Sequence, residues 1–359
     1  MKISSPQADT VSQTLRSSAL LLLLPLLLAA PPVDALGHAL KTAGGDALLV
    51  SADGKAFVQR AGGQKVELPL PKGSRVSALH TARPTEGEAA WLAAAVARVD
   101  GQPQLRLIEG KGDAASVQPA PQVAPVKQLM QPTFVAAAER VHALVWLAGD
   151  AHHKMAVQAA RRLADGSWDA TQTLSPPGKG TQIALTTAVL ADGSWLVAWA
   201  AFDGTDDEIL WSRYSAEGWS KPQPVAAGNA VPDITPSLYP TADGALIAWS
   251  RYDGDAYRVN VARFDGTAWS APTVAGPPGS TSAVFSSVDQ PILVYRRPAE
   301  GAWAAMALDA TGKVRHDAAL VSAKSRRPAV ASVSAEAIAF EWPSVERREV
   351  SAPLPWTAR

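Results

Sequence analysis

ADGSWLVAWAAFDGTDDEILWSRYSAEGWSKPQPVA, residues 191–226, is followed by ADGALIAWSRYDGDAYRVNVARFDGTAWSAPTVA, residues 242–275, and the two align almost without gaps. Trp199 answers Trp249, Asp203-Gly204 answers Asp253-Gly254, and Arg213 answers Arg263. Trp219 answers Trp269 and Pro222 answers Pro272, each pair 50 residues apart. Each stretch consists of short runs of β-branched, aromatic or alternating residues, broken at regular intervals by Asp–Gly pairs. Such runs read as strands, and Asp–Gly between them reads as a tight hairpin turn. In EILWSRY, Ile209, Trp211 and Arg213 share one strand face while Leu210 and Ser212 take the other.

The pattern continues outward with more wear. Trp146 in VHALVWLAGD stands near the Trp199 position, and Trp168 in RRLADGSWDATQTL near that of Trp219. Trp91 lies further upstream; Tyr295 takes the slot of Trp249 downstream, and Trp342 follows in the same role. A period of 40–50 residues made of hairpins is the signature of a β-propeller, in which sheets too thin to cover themselves stack around an axis. Five complete units begin near residues 74, 129, 181, 232 and 281. Strand remnants at both ends either merge into one closing blade or form two thin ones, because a ring tolerates no open edge. The expectation is an all-β protein, a β-propeller of six or seven four-stranded blades with seven favoured. It occupies residues 36–359 as a single domain closed by the N- and C-terminal strands.

Asp265, Gly266, Trp269, Ser270 and Pro272 give the turn that carries a family resemblance. Glu217, Gly218, Trp219, Ser220 and Pro222 repeat it with Glu for Asp, and Asp165-Gly166 with Trp168 shortens it. These turns resemble the repeats of sialidase-like (BNR, or Asp-box) propellers. The resemblance implies a structural role for Asp265, Gly266 and the tryptophans Trp168, Trp199, Trp219, Trp249 and Trp269. Physical chemistry agrees: Asp caps backbone N–H groups two residues on, Gly accepts positive φ, and Trp packs into a neighbour. A sialidase of that family also needs an arginine triad and a Tyr–Glu pair. Arg83-Pro84 and Arg326-Arg327-Pro328 lack the flanking motif, so catalytic residues are not assigned and the chain is read as leaning away from enzymatic function.

Composition narrows the partners. Lys+Arg and Asp+Glu number 33 each in 359 residues, so the basic excess of a nucleic-acid binder is missing. Cysteine is absent, which rules out disulfides, thiolate metal sites and a cysteine nucleophile. Lys2 and Arg16 precede an apolar run from Ala19 to Ala30, too short to span a bilayer but suited to a secretory signal. Residues 1–35 are therefore expected to be a signal peptide, cut at Ala30 or Ala35. The mature chain would be periplasmic or extracellular and without a membrane span. His152-His153 reads as an ordinary hairpin turn, and no phosphate loop or serine elbow is present.

Acidic residues gather in the second-to-third-strand turns: Asp203, Asp206, Asp253 and Asp255, with Asp233 in a neighbouring connection. These loops share the face where propellers usually bind, and they are the candidate ligand-binding residues. No metal site or cofactor is assigned, although clustered oxygens suit calcium. The functional expectation is a non-enzymatic propeller binding a glycan or protein ligand through its loop face. The alternatives are a glycoside hydrolase of sialidase-like type and a periplasmic assembly platform.

Overall fold

The computed structural model describes residues 47–50, 53–59, 64–82, 91–111, 114–137, 140–285, 290–318, 327–343 and 348–358. The expected signal peptide over 1–35, its two cleavage points, Arg83-Pro84 and Arg326 lie outside the described residues. Among the described residues no helix is long and apolar enough to cross a membrane. A 3-10 turn, Pro298–Glu300, interrupts the strands of the described residues.

The strands form successive antiparallel sheets. The first holds β1 (Ala47–Val50), β2 (Ala56–Gln59) and β3 (Lys65–Glu67). Next come β4 (Arg75–Ala82), β5 (Trp91–Val99), β6 (Gln102–Lys111) and β7 (Ala114–Gln118), then β8 (Gln128–Ala137), β9 (Arg140–Gly149), β10 (Met155–Arg161) and β11 (Gln172–Ser175). The two repeats that decided the fold supply the following pair. One comprises β12 (Gln182–Val189), β13 (Trp195–Phe202), β14 (Asp207–Ser215), β15 (Gly218–Trp219) and β16 (Gln223–Pro224). The other comprises β17 (Asp233–Thr241), β18 (Gly244–Tyr252), β19 (Tyr257–Phe264) and β20 (Thr273–Val274).

The last strands are β21 (Thr281–Phe285), β22 (Ile292–Arg297), β23 (Ala302–Leu308), β24 (Val314–Ala318), β25 (Ala329–Val333), β26 (Ala337–Pro343), β27 (Arg348–Val350) and β28 (Leu354–Ala358). They make one fused sheet, because β28 pairs with both β24 and β26. The terminal remnants thus stay in separate sheets.

Packing explains why the second strands read as unbroken apolar runs. Along β13, Trp195, Val197 and Trp199 pack on the sheet before, whereas Leu196, Ala198 and Ala200 pack on the sheet after. Along β18, Ile247 and Trp249 again face backward, while Leu246 and Ala248 face forward. Both faces are buried, so hydrophobic and polar residues cannot alternate. Trp146, Trp199, Trp249 and Tyr295 all face the preceding sheet, as a rotational repeat requires, and Trp342 packs on β22 and β23 within the fused last sheet. Trp91 instead stands at the place of Trp195, and Ala95 fills the Trp199 slot in β5.

The first strands β4, β8, β12, β17 and β21 are consecutive neighbours. They are not laddered together, and side chains bridge them. The N–H of Phe134 donates to His80 Nδ1 at 3.3 Å, that of Leu185 to Gln131 Oε1 at 3.2 Å, and that of Leu238 to Thr186 Oγ1 at 3.0 Å. The Phe285 N–H donates to Ser237 Oγ at 3.0 Å. Each of these first strands carries a register shift at that level. In three of them the bulge places Gln131, Ala184 and Thr235 at positive φ (49°, 60° and 55°). The bulges free N–H groups from the ladder, and a side chain of the preceding first strand satisfies each of them. Burial holds His80 down at about 4, so its ring is neutral and Nδ1 is free to accept. Among the described residues, no hydrophobic cluster joins the first sheet to the last; the first sheet packs on the second through Leu48, Val50, Ala56 and Val58.

Candidate functional site

The repeat tryptophans and box residues occupy structural positions. The Trp199 indole donates to Gln182 at 2.9 Å, and that of Trp249 donates to Asp233 at 2.9 Å. Trp168, Trp219 and Trp269 pack against clusters shared with the preceding sheet. Asp265 accepts from the N–H groups of Thr267 and Ala268 across Gly266, whose φ is 97°. In the Glu217 copy the capping role falls on Ser215, 50 residues before Asp265. Ser215 Oγ accepts the Glu217 N–H at 3.2 Å, so the Glu side chain is not the cap.

The hairpin between β13 and β14 builds the acidic site. Asp203 Oδ1 accepts from the N–H groups of Thr205 (2.7 Å) and Asp206 (3.3 Å), and Gly204 supplies the φ of 111° that closes the turn. The preceding connection rides tightly on this turn. A Cβ on Gly204 would come within 2.5 Å of Lys179 Cδ, and one on Gly180 within 2.6 Å of the Phe202 ring. Beyond the turn, strand alternation sends Asp206 and Glu208 inward together, 7% and 9% exposed. Neither side chain makes a hydrogen bond or ion pair among the described residues, and Asp206 Oδ2 and Glu208 Oε2 are wholly buried.

Asp233, 1% exposed, lies beside them in a different state. Arg251 clamps it with two bonds, Nε to Oδ1 at 2.7 Å and Nη2 to Oδ2 at 2.6 Å. Trp249 and Asn229 complete its partners. Its equivalent in the previous sheet is Gln182, which accepts the Trp199 indole in the same way. Asp233 is thereby explained as an anchor, with no acceptor left over for a ligand. Asp253 and Asp255 stay apart from this group. Asp253 caps its own turn and pairs with Arg258, while Asp255 is exposed. Neither lines the cavity described next.

A cavity of about 490 Å³ opens beside the acidic turn, lined among others by Lys179, Phe202, Asp203, Glu208, Gly228 and Asn229. Its electrostatics split the carboxyls. Desolvation, reinforced by Asp233 and Asp206 and only partly offset by Arg251, pushes Glu208 up to about 7. Desolvation likewise raises Asp206 and Asp207. The backbone N–H groups of Thr205 and Asp206 hold Asp203 down. At neutral pH the cavity therefore carries an ionised Asp203 beside a Glu208 poised between its two forms. Of the five acidic residues expected from the sequence, the structure gathers Asp203, Asp206 and Asp233. It adds Lys179, Phe202 and Asn229, which the sequence reading did not single out, and Glu208, which the sequence showed as the end of the acidic run but which was not among the expected ligand-binding residues. The strand alternation of Asp206, Glu208 and Leu210 was the available signal.

Topology and the rotational packing define an all-β protein of propeller type. No family model matches the sequence, and no curated protein matches it. Among solved structures it is similar to virginiamycin B lyase from Staphylococcus aureus, at 11% identity with a TM-score of 0.51 over 88% of this chain and 93% of that one. It is also similar to a puromycin-hydrolyzing peptidase from Mycobacterium tuberculosis, at 13% identity and a TM-score of 0.51, covering 87% of this chain and 51% of that one. At these identities the likeness is one of fold.

Proposed function

We propose that this is an exported binding protein whose seven-bladed ring presents the cavity beside the β13–β14 turn to a glycan. Seven blades are supported by the successive sheets, with the fused final sheet counted as two. Export rests on the apolar run Ala19–Ala30. The Asp–Gly turns followed by tryptophan support the sialidase-like resemblance as one of architecture.

The observation that carries the binding reading is the lining itself. A cavity in the size range of small-ligand sites sets a half-buried aromatic, Phe202, beside a carboxylate, a carboxyl with free hydrogen-bonding capacity, a lysine and an amide. Sugars present an apolar ring face and a rim of hydroxyls, and this combination meets both. Screening on a glycan array, followed by calorimetry with the best oligosaccharide, tests it. Phe202→Ala and Asn229→Ala are each expected to weaken binding about tenfold, the order of one stacking or hydrogen-bonding contact. Absence of any glycan hit, or binding untouched by both changes, would overturn the reading.

The split between Glu208 and Asp203 favours one alternative, a glycoside hydrolase. Such enzymes pair a carboxylic acid of raised pKa with an ionised partner. Turnover of chromogenic glycosides, abolished by Glu208→Gln, would replace the binding role with this one.

A further inference from the structure

Glu208 is a carboxyl more than nine-tenths buried that lines the cavity and has no hydrogen-bond or ion-pair partner among the described residues. Its surroundings deepen the imbalance. Asp203, Asp207 and Asp233 all lie within electrostatic reach of the pair Asp206–Glu208. Two cations face them. Arg251 has its Nε and Nη2 committed to both oxygens of Asp233, and Lys179 is exposed, lying over the turn against Asp203. Neither gives Glu208 a donor. Buried polar groups normally find one, so a side chain that lacks it marks the place where a ligand supplies it.

The chemistry of the missing partner follows from these residues. Several carboxyls, with Arg251 committed to Asp233 and Lys179 lying against Asp203, call for a further positive charge, and an acceptor without a donor calls for N–H or O–H. Among the described residues, no three acidic or histidine side chains converge closely enough to hold a metal ion. A protonated primary amine satisfies both needs through one compact head. The Phe202 wall and the cavity size fit a ring that carries it, and this step rests on the glycan reading above.

We propose that Glu208 is the anchor of a subsite for a protonated amino sugar, its carboxylate accepting from the sugar ammonium while the neighbouring Asp203 and Asp206 supply the negative field. Bringing the ammonium to Glu208 favours the ionised carboxyl, so binding at pH 6 releases a proton from the protein.

The test is calorimetry on the full chain with three probes of equal length: a glucosamine oligomer, its N-acetylated counterpart and a neutral glucose oligomer. The expected result is at least tenfold tighter binding of the glucosamine oligomer. Heats measured at pH 6 in two buffers of different ionisation enthalpy should show proton release with that probe alone. Glu208→Gln should erase the preference for the glucosamine oligomer over the neutral one and the proton release with it. Because the preference and the proton release are read on the unaltered protein, they stand even where the variant fails to fold. Equal binding of all three probes would overturn the amino-sugar subsite and leave the glycan reading in place. Binding of none would overturn both. Tighter binding of a lysine-bearing peptide or of calcium ion than of the glucosamine oligomer would assign Glu208 to that ligand instead.

Discussion

Glu208 illustrates how one side chain couples a site to stability. Its carboxyl, ordinarily near 4.5, is raised to about 7 in the folded protein by burial and neighbouring acids. Between those values the unfolded chain has lost the proton while the folded chain still holds it. Ionisation therefore disfavours the folded state progressively from pH 4.5 to 7, and the full penalty persists above that. Glu208→Gln should remove this slope and raise stability at pH 8 by on the order of 2–3 kcal/mol, read as denaturant midpoints across pH. An unchanged pH profile would contradict the raised value. Asp233, by contrast, has both carboxylate oxygens held by Arg251, Trp249 and Asn229. Asp233→Ala would leave the Arg251 guanidinium and the Trp249 indole without their acceptor, with an expected loss of about 3–5 kcal/mol. The exposed Asp255→Ala is expected to shift stability by less than about 0.5 kcal/mol, and the contrast is a direct check on the two placements.

At the scale of the element, the turns between third and fourth strands show that a motif is defined by geometry. Asp265 and Ser215 occupy the same turn position and each accepts the N–H two residues on. Glu217 sits where Thr267 sits, its N–H capped and its side chain unused by the turn. Ser215→Ala should cost about 0.5–1 kcal/mol, Asp265→Ala at least as much because it loses two backbone bonds, and Glu217→Ala close to nothing. Thermal midpoints of the three variants measure it, and a Glu217 effect larger than that of Ser215 would refute the assignment. The bulged first strands form a second recurrent element. A hydroxyl, amide or imidazole on one strand satisfies an N–H on the next, where main-chain ladders cannot reach across the gap.

For the whole molecule, the last strand governs the edges. β28 pairs with β24 on one side and β26 on the other, and the Trp356 indole donates to the Ser334 carbonyl at 3.1 Å. Removing residues 354–359 would bare two strand edges, each a template for pairing with another chain. The truncated protein is expected to elute as aggregate in size-exclusion chromatography and to unfold at lower temperature; a monomer of unchanged stability would refute this role. Among the described residues, the inner sheets bury both faces against their neighbours, and that mutual burial holds the successive units together.

The 50-residue repeat, its Asp–Gly turns and its recurring tryptophans are local patterns, and strand period and turn chemistry translate them into hairpin sheets without reference to distant residues. The acidic turn at Asp203–Glu208 was likewise visible as a run of charge. The cavity was not visible, because its other walls come from the connection at Gly178–Lys179 and the loop at Gly228–Asn229, in other parts of the chain. Only tertiary packing separated Asp233, whose charge Arg251 neutralises, from Glu208, which stands unpaired. Ionisation and hydrogen bonding respond to three-dimensional distance and dielectric, whereas secondary structure responds to neighbours along the chain.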